Sequence, residues 1–190
     1  MIRHIQSFSQ LKEINLPLLI YAGSFSPFHD GHLYCIKMAL KRERSLLVIP
    51  DRNPWKEEGS LREKEELGSI LVENLELLAK EEKKDILYYD GFLRQKKSNP
   101  TINWIDKIYS SDKRKELLMG DDSFLSLRKW KQADELIKKI DSLVVVARVS
   151  NKKERQFEKE MILKINPHLV VEFIEENPFK DLSSTLLRKS

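Results

Sequence analysis

At 190 residues with 41% apolar side chains, the chain is sized for one domain with a proper core, and a single unit over 1–190 is expected. Its 34 basic and 30 acidic residues leave a net charge of +4, spread as alternating signs on stretches such as Arg62-Glu63-Lys64-Glu65-Glu66, which is the look of solvated helix and not of the clustered basic stripe of a nucleic-acid binder. No apolar run approaches the ~20 residues of a membrane span, Met1 to Gln6 carry no signal-peptide pattern, and a lone Cys35 forbids an internal disulfide, so a reducing, cytoplasmic setting is expected.

Residues 1–16 are expected to form a short helix or an extended arm. The apolar run Leu18-Leu19-Ile20-Tyr21-Ala22 has the length of a buried strand and stops at Gly23; a turn-rich loop follows, and a helical pattern starts near Gly31 and runs to about Lys41 or Arg44. Strand, tight loop and helix in that order set a helix N-terminus at the carboxyl edge of a sheet, where free N–H groups suit a phosphate. Gly23 would let the backbone approach such a ligand, Pro27 stiffens the turn, and His29 and His32 stand three apart at the helix entrance. Cys35, among Leu33, Tyr34, Ile36 and Met38, is expected to be a packing residue.

Further along, 45–50 reads as a strand stopped by Pro50, 51–60 as a polar loop holding Asn53-Pro54-Trp55-Lys56, and 61–83 as an amphipathic helix. A short strand (86–89), a basic loop (91–100) and a helix opened by Thr101 as N-cap come next. Residues 116–120 form a strand ending in Gly120, with Asp121 or Asp122 as the cap of the following helix; 141–148 is a buried strand ending in Arg148, 151–164 a charged helix and 168–174 the last strand. Alternation of this kind implies a doubly wound parallel sheet. The tail Leu182-Ser183-Ser184-Thr185-Leu186-Leu187-Arg188 reads as a capped turn offering hydroxyls, N–H groups and a guanidinium to an anion.

Taken singly, these features have plainer readings. Paired histidines at a helix start serve as caps or surface residues, His-x-x-His also suggests metal ligands, Lys56 fits a surface turn, and Trp104 and Trp130 fit a core.

The string Gly23-Ser24-Phe25-Ser26-Pro27-Phe28-His29-Asp30-Gly31-His32, joined to Ser183-Ser184-Thr185-Leu186-Leu187-Arg188, resembles the two signatures of the HxGH nucleotidyltransferases, and the histidine at 29 makes it most similar to the nicotinate or nicotinamide mononucleotide adenylyltransferases. The resemblance implies a Rossmann-like, three-layer α/β fold and adenylyl transfer from ATP to a pyridine mononucleotide, giving the dinucleotide and pyrophosphate in NAD biosynthesis. It implies His29, His32, Lys56 and Arg188 as catalytic groups and Gly23, Ser24, Phe25, Gly31, Gly120, Asp122, Ser184 and Thr185 as the ATP site. Ser26, Thr101, Asn103, Trp104, Trp130 and Arg148 would frame the mononucleotide, and Mg²⁺ would be held mainly by ATP phosphates, with no protein metal site.

Ser26, Trp55 and Asn103 stand where the family has Asp, His and Asp, and the chain stops two residues after Arg188. Two other readings therefore stay open: an HxGH enzyme with a different phosphorylated acceptor, and a non-catalytic nucleotide-binding regulator. Neither nucleic acid nor membrane is expected as a partner, and a homo-oligomer is left open. The acceptor phosphate is already mostly ionised at neutral pH, so adenylyl transfer needs positioning and charge neutralisation and no Ser-His-Asp triad.

Overall fold

A computed structural model describes the chain except residues 15–16, 43, 52–60, 94, 96–98, 109–113, 149, 176–177 and 180–190, and except the side chains of 13, 61–65 and 67. Seven parallel strands form one sheet: β1 (Ile2–His4), β2 (Leu18–Gly23), β3 (Ser45–Pro50), β4 (Ile86–Tyr88), β5 (Glu116–Gly120), β6 (Ser142–Val146) and β7 (Val170–Ile174). Their spatial order is β1-β4-β3-β2-β5-β6-β7. The chain therefore winds outward from β2 through β3 to β4, returns to β5 on the other side of β2, and winds outward again. Between β2 and β5 lies the switch point, where neighbouring connections leave in opposite directions and open a crevice at the carboxyl ends of the strands. Tyr21 pairs with Leu118 across it, so each strand reaches its terminal glycine, Gly23 or Gly120, two residues further on.

Alternation along the strands feeds two apolar layers. Leu19, Tyr21, Leu46 and Val48 face α1 (Asp30–Leu40) and α2 (Leu61–Glu81) through Ile36, Ala39, Leu71 and Leu75. Leu18, Ile20, Leu47 and Ile49 belong to the opposite layer with α3 (Ile105–Ile108), α4 (Asp121–Ser126), α5 (Ala133–Lys139) and α6 (Lys152–Ile165), through Ile105, Phe124, Leu136, Ile137 and Ile162. Both faces of β2, β3, β5 and β6 are covered, which is why their sequences are apolar runs and not alternating patterns. This is the three-layer α/β domain expected.

Several local expectations change. The N-terminal arm supplies a further strand, since β1 pairs in parallel with β4 at the sheet edge, followed by a 3-10 turn over Phe8–Glu13 capped by Ser7 with a reciprocal Gln10 bond. Its burial is carried by Ile5 and Leu11, too few to show a period. Thr101 does not cap a helix: it begins a 3-10 turn whose N-cap is Pro100 without a side-chain bond, and α3 starts only at Ile105. Neither Asp121 nor Asp122 caps α4, whose N-cap is Gly120. The last strand begins at Val170 instead of 168, because Asn166 and the residues after it form a turn in which the His168 N–H donates to Asn166 Oδ1.

Candidate active site

The loop after β2 turns on Phe25, a buried non-glycine residue in the left-handed region at φ 46°. Such a conformation costs on the order of 1 kcal/mol and persists where surrounding packing enforces it; here the Phe25 ring meets Tyr21 edge-on at 5.0 Å. The loop also contains a cis Ser26–Pro27 peptide. Gly23 is not forced by local sterics, since its φ is not positive and an added Cβ would rest 3.6 Å from the Phe25 ring, an ordinary contact.

His29 is the N-cap of α1 in extended conformation, and its Nδ1 accepts from the Gly31 N–H at 3.1 Å. In the neutral ring the proton must then sit on Nε2. Nε2 is buried with no partner among the described residues, so it is a fixed donor without an acceptor. Burial, aided by the Arg148 guanidinium and opposed by Asp30 and Asp122, lowers the His29 pKa to about 4. Thus the His29 ring is neutral near pH 7 and offers an N–H instead of a standing charge, and it is not among the residues that line the cavity at the switch point.

The His32 ring lies 3.8 Å from that of His29. Phe28 stacks on it at 5.5 Å with the planes 15° apart, and Phe25 meets it edge-on at 5.2 Å. The aromatic residues of the loop therefore set the orientation of the second histidine.

The facing wall comes from β5 and the turn after β6. Arg148 lies with its guanidinium against Gly120: a Cβ on that glycine would be 2.6 Å from Nη2 and 2.7 Å from Nε. Asp122 accepts from Arg148 Nη2 at 2.5 Å, while Nε and Nη1 of the same guanidinium are buried without partners among the described residues. Burial works against the Arg148 charge, but Asp122, with Tyr21 and Cys35, carries its pKa above the ordinary guanidinium value. At working pH it is a cation with two nitrogens, Nε and Nη1, uncommitted among the described residues. Burial pushes the Cys35 thiol up to about 11, which fits a packing role and no nucleophile.

One cavity at the switch point is lined by Gly23, Ser24, Phe25, His32, Thr101, Trp104, Gly120, Asp122, Trp130 and Arg148 of the residues expected from sequence. Trp104 is buried, with its indole N–H donated to the Asn99 carbonyl at 2.9 Å, and Trp130 is half-buried. Gly31 sits at the helix entrance with its N–H taken by His29. Ser26 and Asn103 are exposed and are not among the lining residues. Lys56, Ser184, Thr185 and Arg188, with Trp55 and Ser183, lie outside the described residues. Sequence reasoning missed Tyr21, Met119 and Ser123 as lining residues, and Asp121 as anything but a cap; the only signal was the acidic pair directly after a strand-ending glycine.

Among the described residues no cluster of three His, Cys, Asp or Glu side chains could hold a metal ion, and no helix is long and apolar enough to cross a membrane. The wall donors are imidazole and guanidinium N–H groups, which suit phosphate oxygens. A hard cation in this cleft would take its ligands from those phosphates and from water, as Mg²⁺ favours.

A doubly wound parallel sheet whose switch point gathers a capped histidine pair and a buried arginine defines a nucleotide-binding α/β protein of the nucleotidyltransferase class. The sequence model of the cytidylyltransferase-like family matches residues 20–190. The chain is 33% identical over 181 residues to a probable nicotinate-nucleotide adenylyltransferase of Leptospira interrogans, covering 90% of this chain and 83% of that one. It is 26% identical over 173 residues to a probable nicotinate-nucleotide adenylyltransferase of Aquifex aeolicus, covering 88% and 98%. In fold it is similar to the Plasmodium falciparum nicotinic acid mononucleotide adenylyltransferase complexed with NaAD, with a TM-score of 0.68 at 18% identity over 92% of this chain and 83% of that one. The chain belongs to the cytidylyltransferase-like family and, within it, to the nicotinate-nucleotide adenylyltransferases.

Proposed function

We infer that the protein transfers the adenylyl group of ATP to nicotinate mononucleotide, releasing pyrophosphate and forming the dinucleotide in NAD biosynthesis. The observation that carries this is the 33% identity to a probable nicotinate-nucleotide adenylyltransferase over nine-tenths of the chain; the histidine pair at the switch point supports it. In the reaction an oxygen of the mononucleotide phosphate bonds to the α-phosphorus of ATP, and the bond from that phosphorus to the bridging oxygen of pyrophosphate breaks. The nucleophile is ionised beforehand, so no residue has to remove a proton. The protein's part is to align two polyanions and offset charge that builds on the α-phosphate and on the leaving group.

In this reading His29 donates its Nε2 proton, as a hydrogen bond, to a phosphate oxygen at the reacting centre, and His32 lies beside it. Gly23, Ser24, Phe25, Gly31, Gly120 and Asp122 form the ATP side. Arg148, Thr101, Trp104 and Trp130 frame the mononucleotide, with Ser26 and Asn103 at its margin. Lys56 and Arg188 serve the outer phosphates, and Ser184 and Thr185 hydrogen-bond pyrophosphate. The described chain just before that tail returns to α1, where Phe179 meets Tyr34 at 6.2 Å. Magnesium held by the ATP phosphates would supply further charge neutralisation. A cytoplasmic setting goes with this reading.

Incubating the protein with ATP, magnesium and each of several mononucleotides, and measuring pyrophosphate and dinucleotide, tests it. Turnover with nicotinate mononucleotide is expected. Turnover only with another phosphorylated acceptor, or nucleotide binding without turnover, would replace it with one of the other readings.

A further inference from the structure

Asp121 is fully buried, and it faces away from the helix it opens. Its Oδ2 accepts from the backbone N–H of Arg148 at 2.9 Å, from the backbone N–H of Ser150 at 2.8 Å and from the Ser150 hydroxyl at 2.6 Å. The guanidinium of Arg155 stands 3.8 Å off and donates to the Ser150 carbonyl at 2.5 Å, while its other end pairs with Glu175. A buried carboxylate is costly unless such donors surround it, and these donors come from the turn that carries Arg148. The side chain of Arg148 leaves that turn toward Gly120 and the cavity, with Nε and Nη1 uncommitted among the described residues.

We propose that Asp121 is a positioning residue: it locks the turn after β6 so that the Arg148 fork is held open toward the phosphate of the mononucleotide. The inference rests on the adenylyl-transfer reading for the identity of that anion. Asp122, its neighbour, touches the guanidinium itself, whereas Asp121 holds the backbone that aims it, at Arg148 and Ser150. The acidic pair thus divides the work, one carboxylate on the side chain and one on its support.

A double-mutant cycle decides it, read on the dissociation constant of nicotinate mononucleotide by tryptophan fluorescence quenching, which needs binding and no chemistry. Asp121→Ala is expected to weaken binding about 10-fold in the wild-type background and less than about 2-fold in an Arg148→Ala background, because partners acting as a unit are not additive. Asp121→Asn, which keeps an acceptor, should bring affinity back to within about 3-fold. If Asp121→Ala fails to fold, Ser150→Ala, which removes one of the three bonds, is put through the same cycle with about 3-fold expected. Equal effects in both backgrounds, or wild-type affinity in Asp121→Ala beside weakened Arg148→Ala, would overturn the proposal. Dinucleotide formation by the wild-type protein is scored separately: binding without turnover sinks the adenylyl-transfer reading and leaves the cycle decisive for Asp121.

Discussion

His29 caps the helix that carries His32, and the two rings lie 3.8 Å apart. One side chain therefore uses its two nitrogens differently: Nδ1 caps the start of the helix and Nε2 is buried without a partner among the described residues. The arrangement separates stability from chemistry in a way that substitution can read.

Asparagine at 29 keeps a good N-cap acceptor but has no group in place of Nε2. His29→Asn is expected to melt within a few degrees of wild type and to lose ~10²-fold in kcat, as removal of one transition-state donor does. His29→Ala should lose activity similarly and also about 1 kcal/mol of stability. Equal stability losses in the two variants would refute the capping role.

His32→Ala should lower turnover ~10²-fold or more with the fold intact, measured by pyrophosphate release and by thermal melting. Near-normal turnover would remove His32 from the reacting centre.

Because the His29 pKa is lowered to about 4 in the folded protein and lies near 6.5 in the unfolded chain, the unfolded state binds the extra proton between those values. Its contribution to stability is present above the unfolded value, falls as pH drops through that window and levels off below the folded value. Melting temperature should decline on acidification from pH 7 to 4.5, and less steeply in His29→Asn. Identical pH slopes would show that the imidazole titrates normally.

Gly120→Ala puts a methyl 2.6 Å from Arg148 Nη2 and 2.7 Å from Asp122 Oδ1. The guanidinium must shift, with an expected loss of about 1–3 kcal/mol and a raised KM for the mononucleotide. Gly23→Ala meets only ordinary contact with Phe25 and should fold as wild type. Calorimetry of the pair checks the contrast.

Leu11→Ala tests the arm. Leu11 is 2% exposed within the core layer behind β4, so truncation should cost about 2–5 kcal/mol in denaturant unfolding, far more than a loosely attached segment would.

Strands at Leu18–Gly23 and Ser45–Pro50, a buried strand read over 141–148 that the structure confines to Ser142–Val146, the glycine-ended loop and the three-residue spacing of His29 and His32 were legible in the sequence. Each is a local pattern, a buried apolar run or a residue type at a turn, and local patterns survive without knowledge of neighbours. β1 was not legible, because a three-residue edge strand with two exposed side chains has no period and is set by its partner β4. Only the tertiary structure decided that β2 and β5 flank the cleft, that Nδ1 of His29 is committed to the helix cap while Nε2 is left without a partner among the described residues, and that Asp121 serves a turn 27 to 29 residues away. Those facts are contacts between distant parts of the chain, and their energy comes from burial and hydrogen bonding that exist only once the sheet has brought the parts together.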